Sequence, residues 1–102
     1  MAFVNLPTAQ NPAGLTSRQK ECLLQIIQGR TDKATAMHMG IAKKTVEHHR
    51  QQLYDKLNLR GDMRDTLGLG LAAIYYDYVD LITLLKPLMA TRESFKVAKH
   101  RH

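Results

Sequence analysis

Between Lys43 and Leu57 the chain reads KKTVEHHRQQLYDKL. Val46, Leu53 and Leu57 fall at helical spacing on one side, and nearly every other position carries a cation, an imidazole or an amide. Lysine and arginine offer fixed positive charge. Imidazoles and amides both donate and accept hydrogen bonds, and Glu47 only accepts. Such a set is suited to recognition rather than to making and breaking bonds. His48 and His49 are adjacent, so on a helix they point about 100° apart and cannot share one ion as residues four apart can. Cys22, the single cysteine, lacks the companions of a zinc cluster. With no Ser/His/Asp arrangement, no phosphate-cradling glycine loop and no carboxylate pair for acid-base work, neither an enzyme nor a cofactor or metal is expected.

The start of this helix is poor as architecture. Ala42 stands where Ser or Thr would stabilise by about 1 kcal/mol. Lys43 and Lys44 put two cations at the positive end of the helix dipole, each unfavourable by a few tenths of a kcal/mol. A solvated helix gains nothing from this. A helix that must receive a phosphate gains from the convergence of free N–H groups and cations. The misplaced charge of Lys43 and Lys44 is therefore read as a sign that this face touches phosphate. The formal charge of +6 and pI near 9.7 also favour an anionic partner.

Two further elements must position that helix. Thr16 and Gln19 form a capping box, opening a helix that buries Cys22, Leu23, Ile26 and Ile27 and ends at Gly29. The buried Cys22 is read as an inert thiol. Thr31 caps a short helix to about Met39, with Ala34, Ala36, Met37 and Met39 available to pack, and Gly40 ends it. Ile41 and Ala42 then lead into the basic helix. Two helices joined by a tight glycine-containing turn make a helix-turn-helix, whose second helix lies in the DNA major groove. Before them, residues 1–14 carry Pro7, Pro12 and Gly14 and read as a flexible arm.

On these residues the chain resembles the LuxR/FixJ-type (GerE-like) DNA-binding domain of bacterial transcription regulators. The motifs are LTSRQKE (Leu15–Glu21), Gly29, TDK (Thr31–Lys33), Ala36, Met39-Gly40-Ile41, TVEHHR (Thr45–Arg50) and KL (Lys56–Leu57). The resemblance implies an all-α, four-helix bundle whose third helix reads the major groove and whose fourth mediates dimerisation. It implies phosphate contacts to double-stranded DNA from Thr31, Lys33, Lys44, Thr45 and His49, together with Lys43 and Arg50, and base contacts from Glu47, His48 and Gln51. Glu47 has two readings: it accepts from cytosine N4, or it pairs along the helix with Arg50 or Lys43. The chain departs from the family at Ala42, at Thr35 and Gln25 where aliphatic residues are usual, and around Arg60-Gly61-Asp62, an insertion that delays the family's arginine to Arg64. No sensory module is expected ahead of the motif, so regulation is expected to act on amount, dimerisation or partner.

Charge divides the chain. Residues 15–61 hold nine Lys/Arg against four Asp/Glu, residues 62–85 one against four, and residues 86–102 five against one. In the acidic part, Leu67, Leu71, Ile74, Tyr78, Leu81, Leu85 and Leu88 alternate spacings of four and three, the a/d seam of a packed helix pair. One long fourth helix over 62–86 is expected, with Leu67, Leu71, Ile74, Tyr75, Tyr78, Leu81 and Leu85 as dimer contacts. Gly68 and Gly70 lower its propensity by about 1 kcal/mol each, which suggests close backbone approach or a break. Pro87 interrupts it. The basic tail over 87–102 either touches phosphates, frays in solvent or folds back on the seam.

The organisation expected is a flexible arm (1–14), a helix-turn-helix core (15–61), a dimerisation helix (62–86) and a tail (87–102). The function expected is transcription regulation by a homodimer on a palindromic site, with RNA polymerase or another regulator as a further partner. An interaction protein that antagonises a larger regulator through the fourth helix is the alternative, and a nucleoid-type protein without sequence preference a weaker one. Without a cationic and apolar leader, and with an apolar run of only ten residues (Leu67 to Tyr76), a cytoplasmic, nucleoid-associated protein free of the membrane is expected.

Overall fold

Among the described residues, three of the four α-helices begin on a side-chain cap. The computed structural model describes residues 10–82 and 84–86. Within them run α1 (Ser17–Ile27), α2 (Asp32–Met39), α3 (Lys43–Lys56) and α4 (Thr66–Tyr75), with a 3-10 turn at Gly61–Met63 between the last two. The Thr16 hydroxyl accepts from the Gln19 N–H, and the Gln19 side chain accepts from the Thr16 N–H, so the capping box at α1 is complete. Thr31 accepts from the Ala34 N–H at the start of α2, and Asp65 accepts from the Gly68 N–H at the start of α4. Ala42 provides no side-chain cap for α3.

Each helix closes on a residue with positive φ. After α1 and α2 these are Gly29 and Gly40, as their sequence positions predict. After α3 it is Asn58, where the Leu59 N–H donates to the Tyr54 carbonyl. After α4 it is Asp77, where the Tyr78 N–H donates to the Ala73 carbonyl and the Asp77 N–H to that of Ile74. Asn and Asp tolerate this conformation better than other residues with a Cβ.

The stop at Asp77 corrects the expectation of one long helix over 62–86. The chain turns at Tyr76–Asp80 and is helical again at residues 81, 82 and 84–86. Tyr78 leaves the expected seam, because its hydroxyl accepts from the Ala13 N–H at 2.9 Å and hydrogen-bonds the Asn11 side chain. Val79 is buried in the core. This docking also fixes the end of the expected arm, residues 11–14: Asn11 brackets Leu15 by donating to its carbonyl and accepting from its N–H, and Gly14 is buried. Residues 1–9, Leu88 and the tail 87–102 lie outside the described residues.

α1 sits at the centre, packed against α2, α3 and α4. It contributes Cys22, Leu23, Ile26 and Ile27 to a core that also takes Leu15, Ala36, Met39, Val46, Leu53, Leu57, Leu69, Ala72 and Ala73. Burial pushes the Cys22 thiol up to about 11, which keeps it protonated and unreactive. Thr35 is fully buried with its hydroxyl unpartnered, whereas Met37, expected to pack, is 75% exposed. Turning α2 so that Thr35, Ala36 and Met39 face inward leaves Met37 on the outside.

The 3-10 turn at Gly61–Met63 links α3 to α4. Gly68 meets it so closely that an added Cβ would lie 1.8 Å from the Met63 carbonyl oxygen. Only glycine lets the start of α4 cross there. At Gly70 the nearest atoms, on Leu84, would be at 3.5 Å, an ordinary contact. Among the described residues no helix is long and apolar enough to cross a membrane.

Candidate nucleic-acid interface

The dry stripe of α3 is buried as its spacing requires, with Val46, Leu53 and Leu57 each no more than 2% exposed. That seating turns Lys43, Lys44, Thr45, Glu47, His48 and Gln51 to solvent. Six of the predicted contacts therefore share the outward surface of one helix. Its N-terminus carries no acidic residue in the first turn and no side-chain cap, so its first N–H groups and two lysines face outward together.

α2 adds to this surface from the side. Asp32, in its first turn, is held by Arg50 of α3 through contacts of 2.7 and 3.2 Å to one carboxylate oxygen. Its neighbours Thr31 and Lys33, both exposed, are thereby held beside the middle of α3. Thr31 uses an oxygen lone pair to cap α2 and keeps its O–H as a donor.

Arg50 itself is not on the surface. Its side chain is 17% exposed, and besides Asp32 it donates to the Tyr54 hydroxyl at 3.1 Å and approaches the Thr66 hydroxyl at 3.4 Å. Burial works against its charge, but the hydrogen bonds it donates to Tyr54 and Asp32 outweigh it and raise its affinity for the proton. The sequence places Arg50 among the phosphate contacts; in the structure its guanidinium is committed to joining α3 to α2 and α4. Glu47 makes no ion pair among the described residues, and Arg50, one partner considered for it, is occupied by Asp32.

His49 is half-buried with its Nδ1 buried and unpartnered. Burial first, then the neighbouring His48 and Arg18, hold it below the ordinary histidine value. In the free fold it is a neutral imidazole at neutral pH, and a phosphate close by would favour its charged form.

Three networks that hold the interface in place were not expected from the sequence. The Lys56 ammonium donates to the Gly14 carbonyl at 3.0 Å and to the Gln19 side chain at 2.9 Å, and Gln19 donates in turn to Gln52 at 2.8 Å. This ties the end of α3 to the start of α1. Arg18 donates to the Met39 carbonyl at 3.1 Å, which binds α1 to the end of α2. Arg64 lies 4.9 Å over the ring of buried Tyr54 and donates to Asp55, to the Leu59 carbonyl and to Gln51. Sequence spacing signals Lys56 alone, as a cation beside the dry stripe at Leu53 and Leu57.

The residues expected to dimerise divide into two groups. Leu67, Leu71 and Tyr75, four apart on α4, are 67%, 48% and 82% exposed, and Leu81 beyond the turn is 55% exposed. Ile74 and Tyr78 are half-buried and pack against the core, and Leu85 is half-buried. A shallow apolar hollow flanks Leu71, lined by Leu57, Met63, Ala72, Tyr75 and Tyr76.

No curated protein and no solved structure matches the chain. The family model of bacterial regulatory proteins of the luxR family (GerE) matches residues 13–65. That span begins at the turn before α1, takes in the whole helix-turn-helix and ends at the cap of α4. Its members are DNA-binding regulators of transcription. The chain belongs to the luxR family of bacterial regulatory proteins.

Proposed function

We propose that the protein regulates transcription by binding a specific palindromic DNA site as a homodimer. The observation that carries this reading is the division of α3. Its apolar stripe is sealed into the bundle, while Lys43, Lys44, Thr45, Glu47, His48 and Gln51 stand outward together. With α3 in the major groove, Lys43, Lys44, Thr45 and His49, joined by Thr31 and Lys33, meet phosphates and fix the register. Glu47, His48 and Gln51, one turn in, reach base edges. Glu47 lowers total affinity but rewards a cytosine N4 amino group, so it trades strength for discrimination.

Leu67, Leu71 and Tyr75 supply the dimer contact. Three large apolar side chains in one row are costly to leave in water, and each would stabilise an interface by roughly 1.5–3 kcal/mol when fully covered. A two-fold pairing of this row places two recognition helices on successive half-sites, about 34–36 Å apart on one face of the duplex. The protein acts in the cytoplasm, on the nucleoid.

Selection of bound sites from random DNA tests the whole reading at once. The expected result is a palindrome with half-sites one helical turn apart. Binding without a motif would favour the nucleoid-type alternative. The exposed row on α4 is equally open to a larger regulator with a similar helix. Mass measurement after mixing with such a regulator would show heterodimers if the chain acts as an antagonist.

A further inference from the structure

Among the described residues, Gln51 is the one proposed base contact whose side chain is already held by another residue. Its Oε1 accepts from Arg64 Nη2 at 3.0 Å. The chemistry of the partner settles which end of the amide points where: a guanidinium has only donors, so the atom facing it must be the oxygen. Arg64 is itself fixed from three other directions. Nη1 donates to the Asp55 carboxylate at 3.1 Å and to the Leu59 carbonyl at 3.2 Å, and the guanidinium carbon stands 4.9 Å from the centre of the Tyr54 ring. Tyr54 is buried and does not move to suit a ligand. The 3-10 turn Gly61–Met63 immediately precedes Arg64, which lies back against α3 through Asp55 and Gln51.

We infer that Arg64 is a positioning residue for base recognition, turning Gln51 so that it presents its NH2 group and reads guanine. A free glutamine prefers adenine, because its carbonyl and amino ends together match adenine N6 and N7. With the carbonyl turned to Arg64, that two-point match is broken and a donor remains. Guanine shows two neighbouring acceptors, N7 and O6, in the major groove. This inference rests on the proposed insertion of α3 in the groove and adds the base that one of its side chains selects.

Bound-site selection with wild type, Gln51→Ala, Arg64→Met and Gln51→Glu tests it, each protein checked for folding by circular dichroism and melting. Wild type is expected to select G·C at the base pair that Gln51→Ala relaxes, with a preference over A·T of about five- to tenfold. Arg64→Met frees the amide, and at that pair alone the preference should fall to parity or pass to A·T. A role of Arg64 in stability alone would lower affinity without moving base preference. Gln51→Glu changes an exposed side chain and leaves the fold safe even where Arg64→Met does not fold. Its carboxylate keeps Arg64 with one oxygen and presents only acceptors, so the pair should invert from G·C to C·G. The inference is overturned by A·T at that pair in wild type, by a motif unchanged in Gln51→Ala or Gln51→Glu, or by Arg64→Met weakening all sequences equally with a smaller salt slope, which would make Arg64 a phosphate contact. If wild type selects no motif, sequence-specific binding itself fails, a result distinct from a motif that ignores Gln51.

Discussion

Replacing Arg50 with methionine separates two roles that sequence and structure assign to the same residue. As a phosphate contact, Arg50 would matter to DNA and little to the fold. In the structure its side chain is 17% exposed and Asp32, its partner at 2.7 Å, 21%. Breaking a fully buried pair by removing one partner costs about 3–5 kcal/mol, and an exposed pair is worth about 0–1. With roughly a fifth of each side chain open to water, a loss of about 2–3 kcal/mol is reasonable, the Tyr54 hydrogen bond included. For a domain of this size that lowers Tm by roughly 10–20 °C. The assay is thermal and urea unfolding followed by circular dichroism, at one fixed protomer concentration because a dimer's stability depends on it. Asp32→Ala and the double variant complete a cycle, with an expected coupling of about 1–2 kcal/mol. DNA affinity is then measured against salt below the melting range. Arg50→Met should leave the slope of log K on log salt unchanged, since no phosphate contact is lost. The reasoning is refuted if Tm moves by only about 2 °C while the slope falls by about 0.9.

Four other outcomes follow from the same structure. Lys44→Ala should weaken binding about equally on every sequence and reduce the salt slope by about 0.9, measured by titration at several salt concentrations; an unchanged affinity at low salt would remove Lys44 from the interface. Gly68→Ala gains about 1 kcal/mol of helix propensity but forces a Cβ to within 1.8 Å of the Met63 oxygen. Overpacking against backbone should prevail, for a net loss of roughly 1–2 kcal/mol in urea unfolding, and a more stable variant would contradict the close approach. Leu71→Glu should give a monomer by sedimentation that keeps half-site affinity and loses the gain on a full palindrome. His49 titrates below its ordinary value of 6.5 in the free fold because it is partly buried. A phosphate raises that value, so binding takes up a proton and affinity should rise as pH falls from neutrality through the window between the two. His49→Gln should flatten that rise. In the free protein the sign is opposite: the unfolded imidazole takes its proton first, so stability declines as pH drops below about 6.5.

What the chain declares in its order of residues is whatever rests on neighbours in sequence. Thr16 with Gln19, Thr31, Gly29 and Gly40 announce where α1 and α2 begin and end, because a cap and its backbone partner lie within a few positions of each other. Val46, Leu53 and Leu57 announce which side of α3 is dry, since helical periodicity alone decides it. From that follows the exposure of Lys43, Lys44 and His48.

The tertiary structure decided what depends on a partner from elsewhere in the chain. Asp77 is where the apolar spacing of the fourth helix runs on but the helix does not, because Tyr78 finds Asn11 and Ala13 more than sixty positions away. Arg50 looks like any cation of the recognition helix until Asp32 of α2 and the Tyr54 hydroxyl close around it. Arg64 lies beyond the end of α3, where sequence spacing says nothing of direction, and the chain returns it to Gln51 after the 3-10 turn. A side chain's type and face are local properties and can be read in one dimension. Whether its charge meets water, a phosphate or an opposite charge depends on which helix packs beside it, and that is a property of the assembled bundle.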